Sequence, residues 1–288
     1  MRKIEFVYFD AGGGHRSAAT ALKTVIDSQK RPWDVQLFNL QEHLDALDFV
    51  RGLTRVRMQD VYNQMLRHGW TLGSTQIMRV LQATIRLYHP LLVRRLAAHW
   101  RESRPDMVVS FIPHFNRALG ESLRKEMPGR PFVTLLTDLA DFPPRFWIEP
   151  GKEQYVICGT ERAVEQARAI GKDASRIFVT SGMILRPDFY ATNHVDPLAL
   201  RRELQLREDL PTGLLLFGGF GSKVMYEIVE KLEAAGLPLQ LIVICGRNEA
   251  LAEKFLGAQG RNFLRHRQID QLIEGDSLAL GGFASFLL

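Results

Sequence analysis

Phe9-Asp10-Ala11-Gly12-Gly13-Gly14-His15-Arg16-Ser17 places three glycines and a histidine at the junction of two unlike segments. Before it, Ile4 to Phe9 is a nearly continuous apolar run, the composition of a strand covered on both faces. After it, Ser17 to Ser28 has helical spacing. Glycines between a strand and a helix let a ligand approach the backbone closely, and the helix N-terminus offers unpaired N–H groups and a partial positive charge. The stretch therefore reads either as a ligand-holding turn or as a tight βα turn that holds nothing. A dinucleotide fingerprint asks for G-x-G-x-x-G, of which two glycines are present, and for an acid at the end of the second strand, where the chain has Asn39. No G-K-[ST] follows either, so dinucleotide and P-loop chemistry are both disfavoured. His15 sits where the helix dipole favours the neutral imidazole, the form that accepts a proton. It is a candidate general base, with a turn-capping histidine as the alternative.

Outward from this turn, "WDVQLFNL" gives a second strand, and Gln41 to about Trp100 reads as mainly helical with breaks near Gly69, Gly73 and Pro90. Short apolar strands follow at 106–112, 131–138, 154–160 and 176–184, with helical spacing between several of them. Alternating strand and helix predict a doubly wound parallel sheet, with ligands beyond the carboxyl ends of its strands. A segment carrying Pro187 and Pro197 has the composition of an interdomain connection. Beyond it, Gly218-Gly219-Phe220-Gly221-Ser222 repeats the strand–glycine turn–helix arrangement, and the next strand ends in "ICGRN". Such a turn holds a nucleotide diphosphate through backbone N–H groups without a metal; it also serves as a bare βα turn.

The 288 residues are 46% hydrophobic, enough for two domains with real cores. No run approaches 18 apolar residues, and the N-terminus lacks a signal-peptide pattern, so a cytosolic location is expected. Cys158 and Cys245 stand in apolar surroundings without a CxxC partner and read as buried thiols. The net charge of +5 is uneven: between Arg51 and Arg104 lie ten arginines and no lysine, against Asp60 and Glu102. Trp70, Tyr88 and Trp100 are interleaved there. The segment fits ordinary helices with solvated arginine faces, an anionic membrane surface, or nucleic acid.

In combination and in this order, "DAGGGHRSAATAL", "TLLTDLADFPPRFWI", "RRELQL", "LLLFGGFGS" and "LIVICGRN" resemble the monogalactosyldiacylglycerol synthase family, which is related to the peptidoglycan glycosyltransferase MurG. The resemblance covers residues 1 to about 256 and implies an α/β fold of GT-B type, two Rossmann-like domains with a cleft between them. It implies an inverting, metal-independent transfer of a hexose, galactose or glucose, from a UDP-sugar to diacylglycerol in glycolipid synthesis. Carried over by position, the acceptor loop falls on Gly12, Gly13 and Gly14, and the base on His15. The "TD" motif falls on Thr137 and Asp138, with Asp138 shaping the acceptor side or orienting His15, or serving only as a cap. The UDP-binding positions fall on Gly218, Gly219, Gly221, Ser222, Gly246, Arg247 and Asn248. No cofactor and no metal are expected. The expected partners are the UDP-sugar, diacylglycerol and an anionic membrane surface met through the Arg51–Arg104 region, with no nucleic acid. The implied location is cytoplasmic, peripheral on the inner face of the plasma membrane.

The chain departs from the family pattern at three places. Pro143 and Ile112 stand where plant-like members carry histidines, and His114 lies two residues from the second of these. The "K-P-G" segment that grips the donor is absent, and the resemblance stops after about Leu256, as a truncated or frameshifted reading frame would make it. The expected organisation is an acceptor and membrane-facing domain at 1–190, a partial nucleotide-sugar domain at 191–256 and an aberrant tail at 257–288. The alternatives are a catalytically dead membrane-binding remnant, or a MurG-like transferase using another lipid acceptor.

Overall fold

The computed structural model describes residues 1–9, 14–45, 74–138, 145–151, 153–190, 196–217, 221–246 and 248–257. They fall into two compact units, the first ending at Arg186 and the second beginning at Pro187. In the first unit, β1 (Arg2–Tyr8), β2 (Trp33–Asn39), β3 (Met107–Ser110), β4 (Phe132–Leu135), β5 (Gln154–Cys158) and β6 (Ile177–Val179) form one sheet in the order β2-β1-β3-β4-β5-β6. All the strand pairs are parallel. Its described helices are α1 (Gly14–Ser28), α2 (Leu40–Asp45), α3 (Ser74–Ser103), α4 (Asn116–Glu126) and α5 (Glu161–Ala169).

The apolar run read from the sequence as a strand covered on both faces is β1. Ile4 and Phe6 pack on Ala18, Ala19 and Ile26 of α1, whereas Val7 faces Leu92, Leu96 and Trp100 of α3 and Leu119 and Leu123 of α4. Alanines at 18 and 19 leave room for α1 to approach the sheet closely. Trp100 is fully buried and its indole N–H donates to Ser122 Oγ at 2.8 Å, which locks α3 to α4. Two sequence expectations are corrected here. Helix α3 runs through Pro90 without a break, because the packing of Leu92, Val93 and Leu96 into the core outweighs the one backbone bond that proline withholds. Trp100 is a core residue, which removes it from any surface offered to a membrane.

The strand order reverses at β1, flanked by β2 on one side and β3 on the other. A parallel sheet opens a crevice at such a point, beyond the carboxyl ends of its strands. The connection from β4 to β5 has no helix among its described residues, yet Trp147 and Ile148 within it are fully buried. They pack with Leu136, Val156, Cys158 and Val164. The Trp147 carbonyl accepts from Asn116 Nδ2 at 2.9 Å and Gln154 Nε2 at 3.1 Å, and Gln154 Nε2 also donates to Thr134 Oγ1 at 2.6 Å. Both cysteines are free and buried, and burial pushes the Cys158 thiol up to about 11.

The second unit contains α6 (Pro197–Glu203), β7 (Thr212–Leu216), α7 (Lys223–Ala234), β8 (Gln240–Ile244) and α8 (Glu249–Gly257). Strands β7 and β8 pair in parallel. Leu204, Leu206, Ile242 and Ile244 form one apolar cluster, and Met225, Val229, Leu251 and Phe255 pack with Cys245 in another. The 257–288 segment, apart from Gly257, lies outside the described residues.

The amide of Asn116 also donates to Ile112 O at 3.0 Å, so one buried side chain ties the β3–α4 loop to the β4–β5 crossover. Replacing Asn116 by alanine removes two buried hydrogen bonds from carbonyls that keep Gln154 and Ser110 as their other donors, and the expected cost is about 1–3 kcal/mol. Urea denaturation followed by far-UV circular dichroism should show the midpoint falling at an unchanged slope; an unmoved midpoint would show that the crossover is held by packing alone.

Candidate functional site

The chain leaves β1 at Tyr8 and enters α1 at Gly14, the third glycine of the opening stretch. A Cβ built on Gly14 meets nothing within 4 Å, so the fold itself does not demand glycine there. Gly12 and Gly13 lie outside the described residues. His15 follows, in the first turn of α1, where unpaired amide groups point out of the helix. Its Nδ1 is 2.9 Å from Thr137 Oγ1, in the segment just beyond β4. Its ring meets Trp147 edge-on with centroids 5.9 Å apart. The Trp147 indole N–H in turn donates to Asp138 Oδ2 at 2.9 Å. The residues named from the sequence as base and orienting acid are thus brought together beyond the strand ends, through two groups, Thr137 and Trp147, that the structure places between them.

Burial lowers the His15 pKa below its ordinary 6.5; the Asp138 carboxylate and a hydrogen bond to the Phe111 backbone pull the other way and are smaller. His15 is therefore held neutral at neutral pH. His114, in the loop after β3, feels the same carboxylate, and burial takes its pKa down to about 4. Its ring packs edge-on against Phe146 at 4.2 Å, and Phe146 stands edge-on to Trp147 at 6.4 Å. Two imidazoles, from the first turn of α1 and the loop after β3, are thereby linked through Phe146 and Trp147 and share the field of Asp138. The sequence marks His114 only as a neighbour of a displaced histidine position, and Trp147 appears there only inside the motif "TLLTDLADFPPRFWI" with no role given to it; of the residues between it and Asp138, 139–144 lie outside the described set.

In the second unit the expected UDP-binding positions are seen in part. Gly218, Gly219 and Arg247 lie outside the described residues. Ser222 is the N-cap of α7, its Oγ accepting from Val224 N at 3.3 Å, and Asn248 Oδ1 accepts from Leu251 N at 3.1 Å at the start of α8. Gly221 has φ +58°, and a Cβ there would come within 2.9 Å of both Cys245 O and Leu251 Cδ2. The turn thus needs glycine at 221 for conformation and for close packing against the end of β8. Gly246, at φ 57°, makes the corresponding turn after β8.

Within the Arg51–Arg104 region, side chains are described from Leu87 onward. Arg101 forms a two-pronged pair with Glu126, at 2.8 Å and 2.9 Å. Leu87 and Leu91 are exposed by 76% and 38%, one turn apart on α3 and followed by exposed Arg94. Among the described residues, no helix is long and apolar enough to cross a membrane.

Comparison with known proteins places these features in a family. A probable chloroplastic monogalactosyldiacylglycerol synthase of Glycine max is 29% identical over 267 residues, 88% of this chain and 48% of that protein. Monogalactosyldiacylglycerol synthase 1 of Arabidopsis thaliana is 27% identical over 270 residues, again 88% of this chain and 48% of the relative. The chain spans about half the length of these curated relatives. Among solved structures, the UDP-GlcNAc 2-epimerase of Neisseria meningitidis bound to UDP-GlcNAc matches with TM-score 0.52 and 11% identity, covering 99% of this chain and 75% of that one. That likeness is one of fold, and the α/β architecture is of GT-B type. The family model described as monogalactosyldiacylglycerol (MGDG) synthase matches residues 15–183, more than half of the chain and starting at the histidine of the candidate site, and the chain belongs to this family.

Proposed function

We propose that this chain carries the acceptor side of an inverting glycosyltransferase that moves a hexose from a UDP-sugar to the hydroxyl of diacylglycerol. The observation that carries the reading is His15, held neutral in the first turn of α1, against Thr137 and beside Trp147 and Asp138, beyond the strand ends at the reversal of the sheet order. In the tautomer whose Nδ1–H donates to Thr137 Oγ1, Nε2 carries the lone pair. It takes the acceptor's hydroxyl proton as that oxygen attacks the anomeric carbon from the side opposite the leaving group. The bond from the anomeric carbon to the diphosphate oxygen breaks, its electron pair leaves with UDP, and configuration inverts. Asp138 orients the imidazole region through Trp147 and stabilises the imidazolium that forms.

The donor's diphosphate is assigned to the Gly218–Ser222 turn, where backbone N–H groups and a helix start meet an anion without a metal. Gly246, Arg247 and Asn248 are assigned to the nucleotide base side. Exposed Leu87, Leu91 and Arg94 support peripheral contact with an anionic bilayer on the cytoplasmic side, since leucines enter the interface while arginine meets headgroups. Radiolabelled UDP-galactose or UDP-glucose, offered with vesicles of diacylglycerol and anionic phospholipid, should yield a labelled glycolipid. Vesicle binding without label transfer from either sugar would remove the enzymatic reading from this chain.

His15→Ala should lower kcat by about 10²- to 10⁴-fold with donor KM nearly unchanged. Because burial lowers the His15 pKa below 6.5, the neutral form predominates at and above pH 6.5. The pH profile of kcat/KM should then level off toward neutral pH and fall on the acid side, with its midpoint below about 6.5, as the ring protonates; a midpoint above about pH 7 would take the base role from His15. Gly14 is helical with open space at its Cβ position, so Gly14→Ala should leave the urea midpoint unchanged or raise stability by up to about 1 kcal/mol. If the acceptor approaches this backbone, the same variant should weaken acceptor KM; an unchanged KM would separate the glycine loop from the acceptor.

A further inference from the structure

We propose that His114 is an acceptor-binding residue of this site: its imidazole, linked to that of His15 through the rings of Phe146 and Trp147, hydrogen-bonds the glycerol end of the lipid and presents its free hydroxyl to His15. The proposal rests on the reading that the first unit binds the acceptor.

Three observations carry it. The first is an unused pair of polar atoms. His15 is engaged by Thr137, His89 by Glu121 and His99 by Glu5, whereas among the described residues neither ring nitrogen of His114 has a hydrogen-bond partner. Those nitrogens are not sealed in the core, since they are absent from the fully buried unpaired atoms. Nitrogens that are open but have no protein partner are available to a ligand group that takes the place of water.

The second is backbone strain. His114 has φ +65° and Arg145 φ +60°, left-handed conformations at non-glycine residues on the two segments that meet at this place. His114 N donates to Phe146 O at 2.6 Å, which holds the left-handed turn in place. Such conformations persist where the surrounding structure over-determines them, and they concentrate at ligand sites. The contact with Phe146 would be served by any ring, so packing does not account for an imidazole.

The third is the chemistry of the walls. Phe9, just after β1, and Phe115, one residue from His114 at the start of α4, meet edge-on at 5.0 Å, and Phe146 packs on His114 and stands against Trp147. Among the described residues the surroundings are largely aromatic, with Asp138, Thr137, His15 and His114 as polar points. A neutral imidazole offers one donor and one acceptor, which match the ester carbonyl and the hydroxyl of a glyceride.

The test uses the full chain and dioctanoylglycerol as probe, titrated by calorimetry, with UDP binding measured in parallel. Asparagine accepts the left-handed conformation, so His114→Asn preserves the turn while shortening the polar group, and His114→Phe keeps a ring without nitrogens. Dioctanoylglycerol affinity should fall about ten-fold or more in His114→Phe and less in His114→Asn, with UDP affinity and the urea midpoint of the asparagine variant unchanged. Where turnover is measurable, acceptor KM should rise with kcat nearly constant, the opposite of His15→Ala. Undiminished dioctanoylglycerol binding by His114→Phe, or an equal loss of UDP binding in both variants, would overturn the assignment. So would a wild-type chain that binds no dioctanoylglycerol. A wild-type chain that binds the diglyceride in a His114-dependent way but transfers no sugar would sink the transferase reading and leave His114 in place.

Discussion

The buried indole of Trp147 is the interaction on which the first unit's site depends. The described residues of the β4–β5 connection contain no helix, so no helical hydrogen-bond ladder holds them. Its carbonyl is held by the amides of Asn116 and Gln154, its ring fills the cluster under α5, and its N–H fixes Asp138. The same ring forms the wall against which His15 rests. Each of these bonds joins a different element: α4, β5, the segment after β4, and α1. The described part of the connection around Trp147 is thereby tied to four elements at once, and the polar groups it orients inherit that definition.

The electrostatics follow from this packing. Both site histidines are neutral because they are desolvated, and Asp138 opposes that effect without reversing it. Sign matters here. A histidine whose folded pKa lies below its unfolded value contributes stability that is complete above about 6.5 and is lost as pH falls toward the folded value. For His114 that window runs from 6.5 down to about 4. The arrangement that keeps two imidazoles ready to accept hydrogen bonds at neutral pH is the arrangement that acid undoes.

Much of the fold was legible in the sequence because its signals are local. Apolar runs of four to seven residues and the glycines at 12–14 and 218–221 announce strand, turn and helix without reference to anything distant. The strand from Thr212 and the helix from Lys223 lie where "LLLFGGFGS" puts them, and Ser222 and Asn248 are visible as caps once the helices are in place. What the sequence hid is what depends on contacts far along the chain. Pro90 reads as a break, yet the core under Leu92 and Leu96 carries the helix past it. Trp100 reads as an interfacial aromatic until Ser122, in another helix, takes its N–H. His15 and Asp138 were named from the glycine turn and the "TD" motif, but the pairing with Thr137, 122 residues away, belongs to the reversal of strand order and to no local pattern.

Helix α3 has thirty residues, which makes it about 45 Å long. The longest strands have seven residues and span about 23 Å, so the helix cannot lie wholly on the layer it covers. Its second half is pinned by Leu92, Leu96, Trp100 and the Arg101–Glu126 pair. Pro90 stands where the pinned half begins, and its missing N–H removes one rung of the backbone ladder at that place. In mechanical terms the pinned half is a clamp with a notch at its edge. A load that arrives along the helix from its N-terminal side is taken up as bending at Pro90 before it reaches the strands that carry the site.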